Sequence, residues 1–349
     1  MFDANVSGKN TLHFPAGLRR VLFFGTGPVL GEVSRFCEQH SIEQIVITAP
    51  RQEESKVEGQ SLRTWARKRK VHLCIRENLT VDWLRTEFAP TLQDLGISKG
   101  SPFIFKQDEI AALHGNLINV HYSMLPKYSG GGGLSWQILA GERDGGTSVH
   151  LVTPSVDDGP LLVQHKFQFP EDLRFPIEYA QIAAKTECEV VKSFLQRLHL
   201  DREVIVGDVP DGSKKTYFPR LSTEIHGAID WWGDAISVSR FVSAFSYPYS
   251  GAWTRLRSSK VEIMECRLVY DEADRVHPFF AGLVFRISNN EVYVFCRDSS
   301  IAIPIDAIKG DVPSEGDRFF TPRKDLDRAL ASRVTYNVLG LSEHRYDKS

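Results

Sequence analysis

The chain has 349 residues, enough for two domains with separate cores, and it is 42% hydrophobic and 25% charged. Its net charge of −2 shows no overall basic excess of the kind typical of nucleic-acid-binding proteins, although a local patch stays open. The five cysteines include no Cys-x-x-Cys pair, and no apolar run reaches the roughly 18 residues that span a bilayer. We therefore expect a cytoplasmic protein with no metal and no membrane partner.

The first half of the chain alternates between short apolar runs and amphipathic segments. After a loose leader over residues 1–18, strands separated by helices predict an α/β domain with a doubly wound parallel sheet over residues 19–203. The predicted strands are Arg20–Gly25, Ile45–Thr48, Val71–Ile75, Pro102–Phe105 and Leu117–Tyr122, and the predicted helices are Val29–His40, Leu62–Lys70, Val81–Phe88, Gln107–Leu113 and Pro176–Leu198.

The pattern changes after the last of these helices. Residues 204–215 are rich in glycine, proline and charge and indicate a linker. Residues 216–312 predict a smaller, mostly β domain, a barrel or sandwich resembling an oligonucleotide-binding fold, and residues 313–349 form a polar tail. The predicted elements here are strands at Gly251–Arg257, Val261–Tyr270, Phe279–Ile287, Glu291–Cys296 and Ile301–Ile305, with helices at Ala235–Phe245 and Arg323–Arg333.

Gly25, Gly27 and Gly31 follow the first strand, where dinucleotide-binding proteins carry a glycine fingerprint. The third glycine is one residue too late for that fingerprint, and no acidic residue follows the second strand. A tight strand-to-helix turn is the favoured interpretation, and a nucleotide phosphate site is the alternative.

Asn119, His121 and Ser123 share one face at the carboxyl end of the last predicted parallel strand, because side chains alternate along a strand. Ligands of open parallel sheets bind at that edge, where an amide and an imidazole can hold a developing oxyanion and a proton. A turn with Asp157 and Asp158 can supply a carboxylate that orients the imidazole. Spacing alone leaves open which aspartate does so, and whether the Asn-x-His pair is catalytic or structural.

Three segments resemble the 10-formyltetrahydrofolate-dependent formyltransferases, whose pattern is Asn-x-His-x-Ser-Leu-Leu-Pro followed by Asp-x-Gly. The matching segments read N-V-H-Y-S-M-L-P-K-Y-S-G from Asn119, G-T-S-V-H-L-V from Gly146 and V-D-D-G-P-L-L-V-Q from Val156. The resemblance covers roughly Arg20 to Leu198 and implies a Rossmann-like catalytic domain. It departs from the family at Ser129, where an arginine is usual, and at Met124, where a leucine is usual.

The resemblance implies that an amine attacks the formyl carbon of 10-formyltetrahydrofolate. Asn119, helped by His121, would stabilise the oxyanion, and Asp157, selected by the Asp-x-Gly alignment, would position His121 and assist proton removal. Two further sets follow from it. The folate is expected to contact Ser101, Pro102, Phe103, Ile104, Thr153, Pro154 and Asp158, and the acceptor is expected to contact Ser123, Lys127, Tyr128, Gly130 and Gly131.

The second domain contains Ile229-Asp230-Trp231 and Pro248 to Ala252, which resemble elements shared by methionyl-tRNA and sugar N-formyltransferases. A nucleotide-linked amino sugar is the favoured acceptor, in a setting such as O-antigen biosynthesis. The basic stretch Trp65–Lys70 is the main argument for tRNA, and a solvated helix end is its simpler explanation. A non-catalytic folate or nucleotide sensor and a homodimer stay open.

Three groups of residues carry smaller expectations. Gly130–Gly133 allows either close approach of a substrate or flexibility. The aromatics of the second domain are expected in its core rather than against a nucleobase, and His150 and His165 are expected to be structural. These aromatics are Trp231, Trp232, Tyr247, Tyr249 and Trp253.

Overall fold

The computed structural model describes residues 11–269, 276–337 and 340–345. The first ten residues of the predicted leader, Tyr270 at the end of a predicted strand, and residues 338–339 and 346–349 of the predicted tail lie outside the described residues.

The first half of the chain forms strands and helices in near alternation. Its strands are β1 (Thr11–His13), β2 (Arg20–Gly25), β3 (Glu43–Thr48), β4 (Lys56–Val57), β5 (Gln60–Ser61), β6 (His72–Ile75), β7 (Asp94–Lys99), β8 (Leu117–His121), β9 (Ser129–Gly130), β10 (Asp144–Leu151), β11 (Leu161–Gln168) and β12 (Glu203–Ile205). Its helices are α1 (Pro28–Gln39), α2 (Leu62–Arg69), α3 (Val81–Phe88), α4 (Gln107–Ala112), α5 (Gly133–Ala140) and α6 (Pro176–Asp201).

A seven-stranded sheet in the order β11-β10-β8-β7-β2-β3-β6 organises this half. The five strands from β8 to β6 are parallel, and β10 and β11 add an antiparallel hairpin at one edge. Apolar clusters cover both faces, one against α1 and α6 and the other against α3 and α4. The predicted parallel-rich α/β sheet is therefore confirmed.

The fourth strand of the sheet is not where the sequence places it. The predicted strand Pro102–Phe105 is wrong, and β7 at Asp94–Lys99 occupies that position. Polar residues hide β7 from a hydrophobicity pattern: Asp94 is buried because its carboxylate accepts a 2.6 Å hydrogen bond from Arg20. Phe103 and Phe105 are buried from a loop instead, in the cluster beside α3 and α4.

Gly25 behaves as the turn interpretation requires. Its φ of +121° lies in the region open to glycine, and a Cβ there would stand 2.1 Å from the Lys99 carbonyl oxygen. Helix α1 then begins at Pro28.

The second half contains α7 (Thr223–His226), α8 (Ala235–Ala244), α9 (Arg323–Ala331) and short strands. The strands are β13 (Tyr217–Phe218), β14 (Ala252–Leu256), β15 (Ser259–Ile263), β16 (Arg267–Val269), β17 (Val284–Ser288), β18 (Glu291–Phe295), β19 (Ser300–Pro304), β20 (Ile308–Lys309), β21 (Phe319–Phe320), β22 (Ser332–Asn337) and β23 (Gly340–Arg345). The antiparallel sheets β20-β15-β14-β21 and β16-β19-β18-β17 share one core with α8, which confirms a mostly β second half.

Several details of this half differ from expectation. The predicted strand from Val261 is two strands, because residues 264–266 break it between β15 and β16. The strand predicted at Phe279–Ile287 begins only at Val284, after a short 3-10 turn. Of the five aromatics, Trp231 and Trp253 are buried, whereas the core expectation is wrong for Trp232, Tyr247 and Tyr249, which are exposed.

In the part of the chain that the structure describes, no helix combines the length and the apolar character needed to cross a membrane.

Residues 11–14 are not a loose leader. Strand β1 pairs antiparallel with β12, and Leu12 and Phe14 are fully buried in the cluster beside α1 and α6. This segment therefore belongs to the core of the first half.

We predict that Phe14→Ala lowers the free energy of unfolding by about 3–5 kcal/mol, because it leaves a cavity in a packed core. Urea denaturation measures the effect. Ile205→Ala is the matched control, since Ile205 lies on the paired strand β12 with 69% of its surface exposed. Equal, small losses in both variants would show that the segment is not part of the core.

Candidate active site

Alternation along β8 separates its side chains as predicted. Ile118 and Val120 point into the cluster beside α1 and α6, and Leu117 points into the opposite cluster. Asn119 and His121 share the side of Leu117 and stand at the carboxyl end of the strand. The two predicted groups therefore meet at the edge where parallel sheets bind ligands.

The neighbouring strand β10 adds a third polar side chain. Its antiparallel register places His150 opposite Asn119 and Ser148 opposite His121. Asn119 Nδ2 lies 3.2 Å from His150 Nε2, and His150 Nδ1 lies 2.8 Å from the Leu151 carbonyl oxygen. His150 Nδ1 therefore donates to Leu151, and His150 Nε2 accepts one of the two N–H groups of Asn119.

Asp157 joins these groups from the turn between β10 and β11. Its Oδ1 lies 3.5 Å from His121 Nδ1 and 3.7 Å from His150 Nε2. Its Oδ2 accepts a 2.8 Å hydrogen bond from the Gly130 N–H. The backbone of Asp157 has a left-handed φ of +58°, a costly conformation for a non-glycine residue that often marks a functional turn.

Asp158 points elsewhere. Its Oδ1 pairs with Lys215 Nζ at 2.5 Å. The structure thus brings Asp157 and not Asp158 to His121, which is the choice that spacing left open.

His121 is held by its second nitrogen as well. Its Nε2 donates to the Tyr128 carbonyl oxygen at 2.9 Å, which leaves Nδ1 unprotonated and facing Asp157 in the neutral ring. The rings of His121 and Tyr122 stack with centroids 5.0 Å apart. Lys99 Nζ lies 5.1 Å from the centre of the Tyr122 ring, and it forms an ion pair with Glu187 of α6.

Burial and charge set the protonation of the central pair. Burial lowers the pKa of His121 below its usual range, and the charge of Asp157 opposes this shift without cancelling it. Burial alone would raise the pKa of the Asp157 carboxyl. The charge of His121, the proximity of His150 and the Gly130 N–H outweigh burial and bring that pKa to about 2. At neutral pH the site therefore holds an ionised carboxylate beside an uncharged imidazole.

Most of the residues expected around the folate lie in two loops that share an apolar cluster with Leu117 of β8. Phe103 and Val152 pack in the same apolar cluster, so the two loops that carry these residues border the side of β8 that holds Asn119. Ile104 exposes 69% of its surface there. The hydroxyls of Ser101 and Thr153 bond to backbone atoms of their own loops, Pro154 lies in the second loop, and Asp158 is engaged by Lys215.

The residues expected around the acceptor serve the loop after β8. Ser123 is buried and its hydroxyl donates to the Lys127 carbonyl at 2.7 Å, so its side chain belongs to the turn rather than to an acceptor contact. The Tyr128 carbonyl and the Gly130 N–H are used by His121 and Asp157. A Cβ on Gly131 would stand 3.3 Å from Arg220 Nε, so this glycine gives space to the segment after β13.

Three residues of the group were not expected from sequence. The first is His150, for which the sequence predicts a structural role: it contacts Asn119 and faces Asp157, so it supports the site through Asn119. His165 is exposed on β11. Side-chain alternation along β10 places His150 on the side of the site, but this can be recognised only once the register of β10 against β8 is known. The other two are Glu187 and Lys99, which form an ion pair. Glu187 could have been noticed in the sequence, because it is a carboxylate within the buried stripe of α6 and therefore needs a partner.

Models of known protein families match the chain in two places. The model described as formyl transferase matches residues 19–174, and the model described as formyl transferase, C-terminal domain, matches residues 222–321. The chain belongs to the formyl transferase family. The resemblance carried by the Asn119 and Asp157 segments is thereby confirmed.

Its curated relatives include methionyl-tRNA formyltransferases. That of Roseiflexus sp. (strain RS-1) is 29% identical over 195 residues, which is 55% of this chain and 58% of the relative. That of Nitrosomonas eutropha (strain DSM 101675 / C91 / Nm57) is 22% identical over 72% of this chain and 76% of the relative. The match with the Roseiflexus protein thus spans little more than half of that relative's length.

Solved structures with the same fold include sugar formyltransferases. WlaRD, a sugar 3N-formyl transferase crystallised with dTDP and 5-N-formyl-THF, superposes with a TM-score of 0.63 at 19% identity, over 83% of this chain and 98% of that chain. The N-formyltransferase from Helicobacter canadensis, in complex with folinic acid and dTDP-3-aminofucose, gives 0.62 at 16% identity, over 82% and 99%. These similarities establish a shared fold.

The protonation of the Asp157–His121 pair makes the stability of the protein depend on pH. Both pKa values are lower in the fold than in the unfolded chain, so both groups stabilise the fold at neutral pH and lose that effect as pH falls. As pH falls, the contribution of His121 begins to be lost first, below its ordinary pKa of 6.5. The contribution of Asp157 is lost between about pH 3.8 and about pH 2.

We predict that Asp157→Asn flattens the fall in unfolding free energy between roughly pH 4 and pH 2 by about 2 kcal/mol. Urea titrations at a series of pH values measure this slope. The control is Asp172→Asn, at an exposed aspartate outside the site. Parallel curves for wild type and Asp157→Asn would contradict the assigned ionisation.

Proposed function

We propose that the protein transfers a formyl group from 10-formyltetrahydrofolate to the amine of a nucleotide-linked amino sugar, in the cytoplasm. The observation that carries the formyl transfer is the convergence of Asn119, His121 and the ionised Asp157 at the carboxyl edge of the sheet. Membership of the formyl transferase family supports the same reaction.

The chain offers suitable surroundings for the donor. An exposed apolar side chain at Ile104 and the loops around Phe103 and Thr153 flank the side of β8 where Asn119 has an N–H not used by His150. These loops would hold the folate, and that N–H would meet the formyl oxygen. When bound, 10-formyltetrahydrofolate supplies an electrophilic carbonyl carbon already attached to a nitrogen leaving group.

Each side chain then has a separate task. Asn119 Nδ2 donates its remaining N–H to an oxygen that gains negative charge, and His150 holds that amide in place. His121 Nδ1 accepts the proton released by the attacking amine, because the ring is uncharged at neutral pH. The carboxylate of Asp157, 3.5 Å away, stabilises the resulting imidazolium. The imidazolium then returns that proton to the folate nitrogen as the bond between this nitrogen and the formyl carbon breaks.

The charges near α2 support a small acceptor over tRNA. Arg69 pairs with both Glu38 and Glu58, and Arg35 pairs with Glu58 as well. Of the four basic residues at the end of α2, Arg69 is therefore paired with carboxylates, whereas Arg67, Lys68 and Lys70 are exposed. The pairing of Arg69 reduces the positive charge that this helix end offers to a phosphate backbone. Methionyl-tRNA stays as the second candidate because the curated sequence relatives include enzymes with that name.

We predict that His121→Ala and Asp157→Ala lose nearly all transfer, by roughly 10²–10⁴-fold in kcat, because proton removal fails. His165→Ala, which replaces an exposed histidine, should keep wild-type turnover. Mass-spectrometric detection of the formylated amine measures the rate. Normal turnover in both site variants would refute the assigned mechanism.

We further predict formylation within a panel of nucleotide-linked amino sugars and none of methionyl-tRNA. The panel uses 10-formyltetrahydrofolate as donor, and tRNA binding is followed at low and high salt, since binding to phosphates weakens steeply with salt. Transfer to methionyl-tRNA alone would establish the second candidate. Tight folate binding without transfer to any amine would indicate a sensor.

A further inference from the structure

The segment between the two halves makes a dense set of contacts with the loop after β8. Thr216 donates its N–H to the Pro126 carbonyl at 3.2 Å, and its own carbonyl accepts from the Ser129 N–H at 2.9 Å and the Ser129 hydroxyl at 3.1 Å. Its Oγ1 accepts from the Tyr128 N–H at 2.9 Å. The residues that follow form β13, which runs parallel to β9. The backbone and hydroxyl of Thr216 are thus all committed to residues 126–129.

Thr216 holds Tyr128 and Ser129, and the catalytic pair is held by Tyr128 and by Gly130, the residue after Ser129. The Tyr128 carbonyl accepts from His121 Nε2, and the Gly130 N–H donates to Asp157 Oδ2. A shift of this loop would therefore move both partners of the His121–Asp157 contact at once.

Lys215 holds the other side of the pair. Its Nζ lies 2.5 Å from Asp158 Oδ1 and 3.5 Å from the Val156 carbonyl oxygen. Val156 and Asp158 flank Asp157, whose own backbone φ is left-handed. The ion pair is partly shielded, with 26% of the Lys215 side chain exposed. It ties the turn to the same segment that ties the loop after β8.

Aromatic packing fixes the position of the segment itself. The rings of Phe218 and Tyr128 stack at 4.9 Å and 17°, and Trp136 lies against the same Phe218 ring at 5.2 Å. Trp136 Nε1 donates to the Pro219 carbonyl at 2.8 Å. A Cβ on Gly130 would stand 2.5 Å from the Phe218 carbonyl oxygen, so the fit requires glycine at this position.

We propose that Lys215 and Thr216 are positioning residues for the His121–Asp157 pair, so that the segment joining the two halves is part of the active site. This inference rests on the proposed function for its kinetic consequence. The physical reason is that proton transfer depends on sub-ångström placement. Strand β8 alone does not hold the His121 ring, and the turn between β10 and β11 alone does not hold the Asp157 carboxylate. A segment that only connected the two halves would need no such contacts.

The test uses the full chain and four variants. Thr216→Val removes the hydroxyl acceptor while keeping the shape, and Thr216→Ser restores that acceptor. Lys215→Ala removes the ion pair with Asp158. Lys214→Ala is the matched control, because the neighbouring lysine is 74% exposed and pairs only locally with Asp211. Thermal unfolding confirms that each variant is folded.

The first readout is hydrogen exchange of the Gly130 amide, which needs no substrate. We expect Thr216→Val and Lys215→Ala to exchange roughly tenfold faster than wild type, and Thr216→Ser and Lys214→Ala to match it. The second readout is formyl transfer, where kcat should fall roughly 10- to 100-fold in the first two variants with an unchanged KM for the formyl donor.

Wild-type exchange and wild-type kcat in both Thr216→Val and Lys215→Ala would overturn the proposal. A uniform loss of protection across the whole chain would overturn it too, because that indicates general destabilisation. If the wild-type protein formylated no amine, the proposed function would fail, whereas the exchange measurement would still decide whether the segment positions Asp157.

Discussion

The buried carboxylate of Asp157 is the charge on which the site depends. A carboxylate removed from water is stable only when polar groups surround it. Here the Gly130 N–H donates to it, and ring nitrogens of two imidazoles lie 3.5 Å and 3.7 Å from it. Each of these groups comes from a different part of the chain: β8, β10 and the loop that contains β9. The position of Asp157 therefore constrains two strands and two loops together.

The architecture of the sheet explains how these parts meet. Parallel strands deliver the end of β8 to the edge where ligands bind, but a purely parallel sheet would not place a second histidine directly across from Asn119. The antiparallel hairpin of β10 and β11 does this, and its connecting turn returns Asp157 to the same edge. The hairpin thus supplies two of the four polar groups.

The second half of the chain contributes through its connection rather than through catalytic side chains. Lys215 and Thr216 bind the loop after β8 and the turn of Asp157, and Phe218 packs between Tyr128 and Trp136. Ser129 stands where related proteins usually carry an arginine, and its hydroxyl bonds to Thr216. The residue that departs from the family pattern is therefore one of the residues that bind Thr216.

Local pattern predicted most of the helices and the parallel strands, because helical periodicity and apolar runs are properties of neighbouring residues. It failed at β7, where the buried pair of Arg20 and Asp94 places a charge in a strand, and at residues 102–105, whose aromatics are buried from a loop. It also failed at Leu12 and Phe14, since a short apolar segment gives no sign of the distant strand β12 that covers it.

The sequence by itself determined that Asn119 and His121 share a face, because alternation is a local rule, and its resemblance to formyltransferases singled out Asp157. Only the tertiary structure decided that His150 joins them, that Asp158 turns to Lys215, and that Thr216 holds the loop. These contacts join residues 30 to 90 positions apart in the chain. The register of the strands and the path of residues 215 and 216 bring these residues together. Neither the register nor the path can be read from a local sequence pattern.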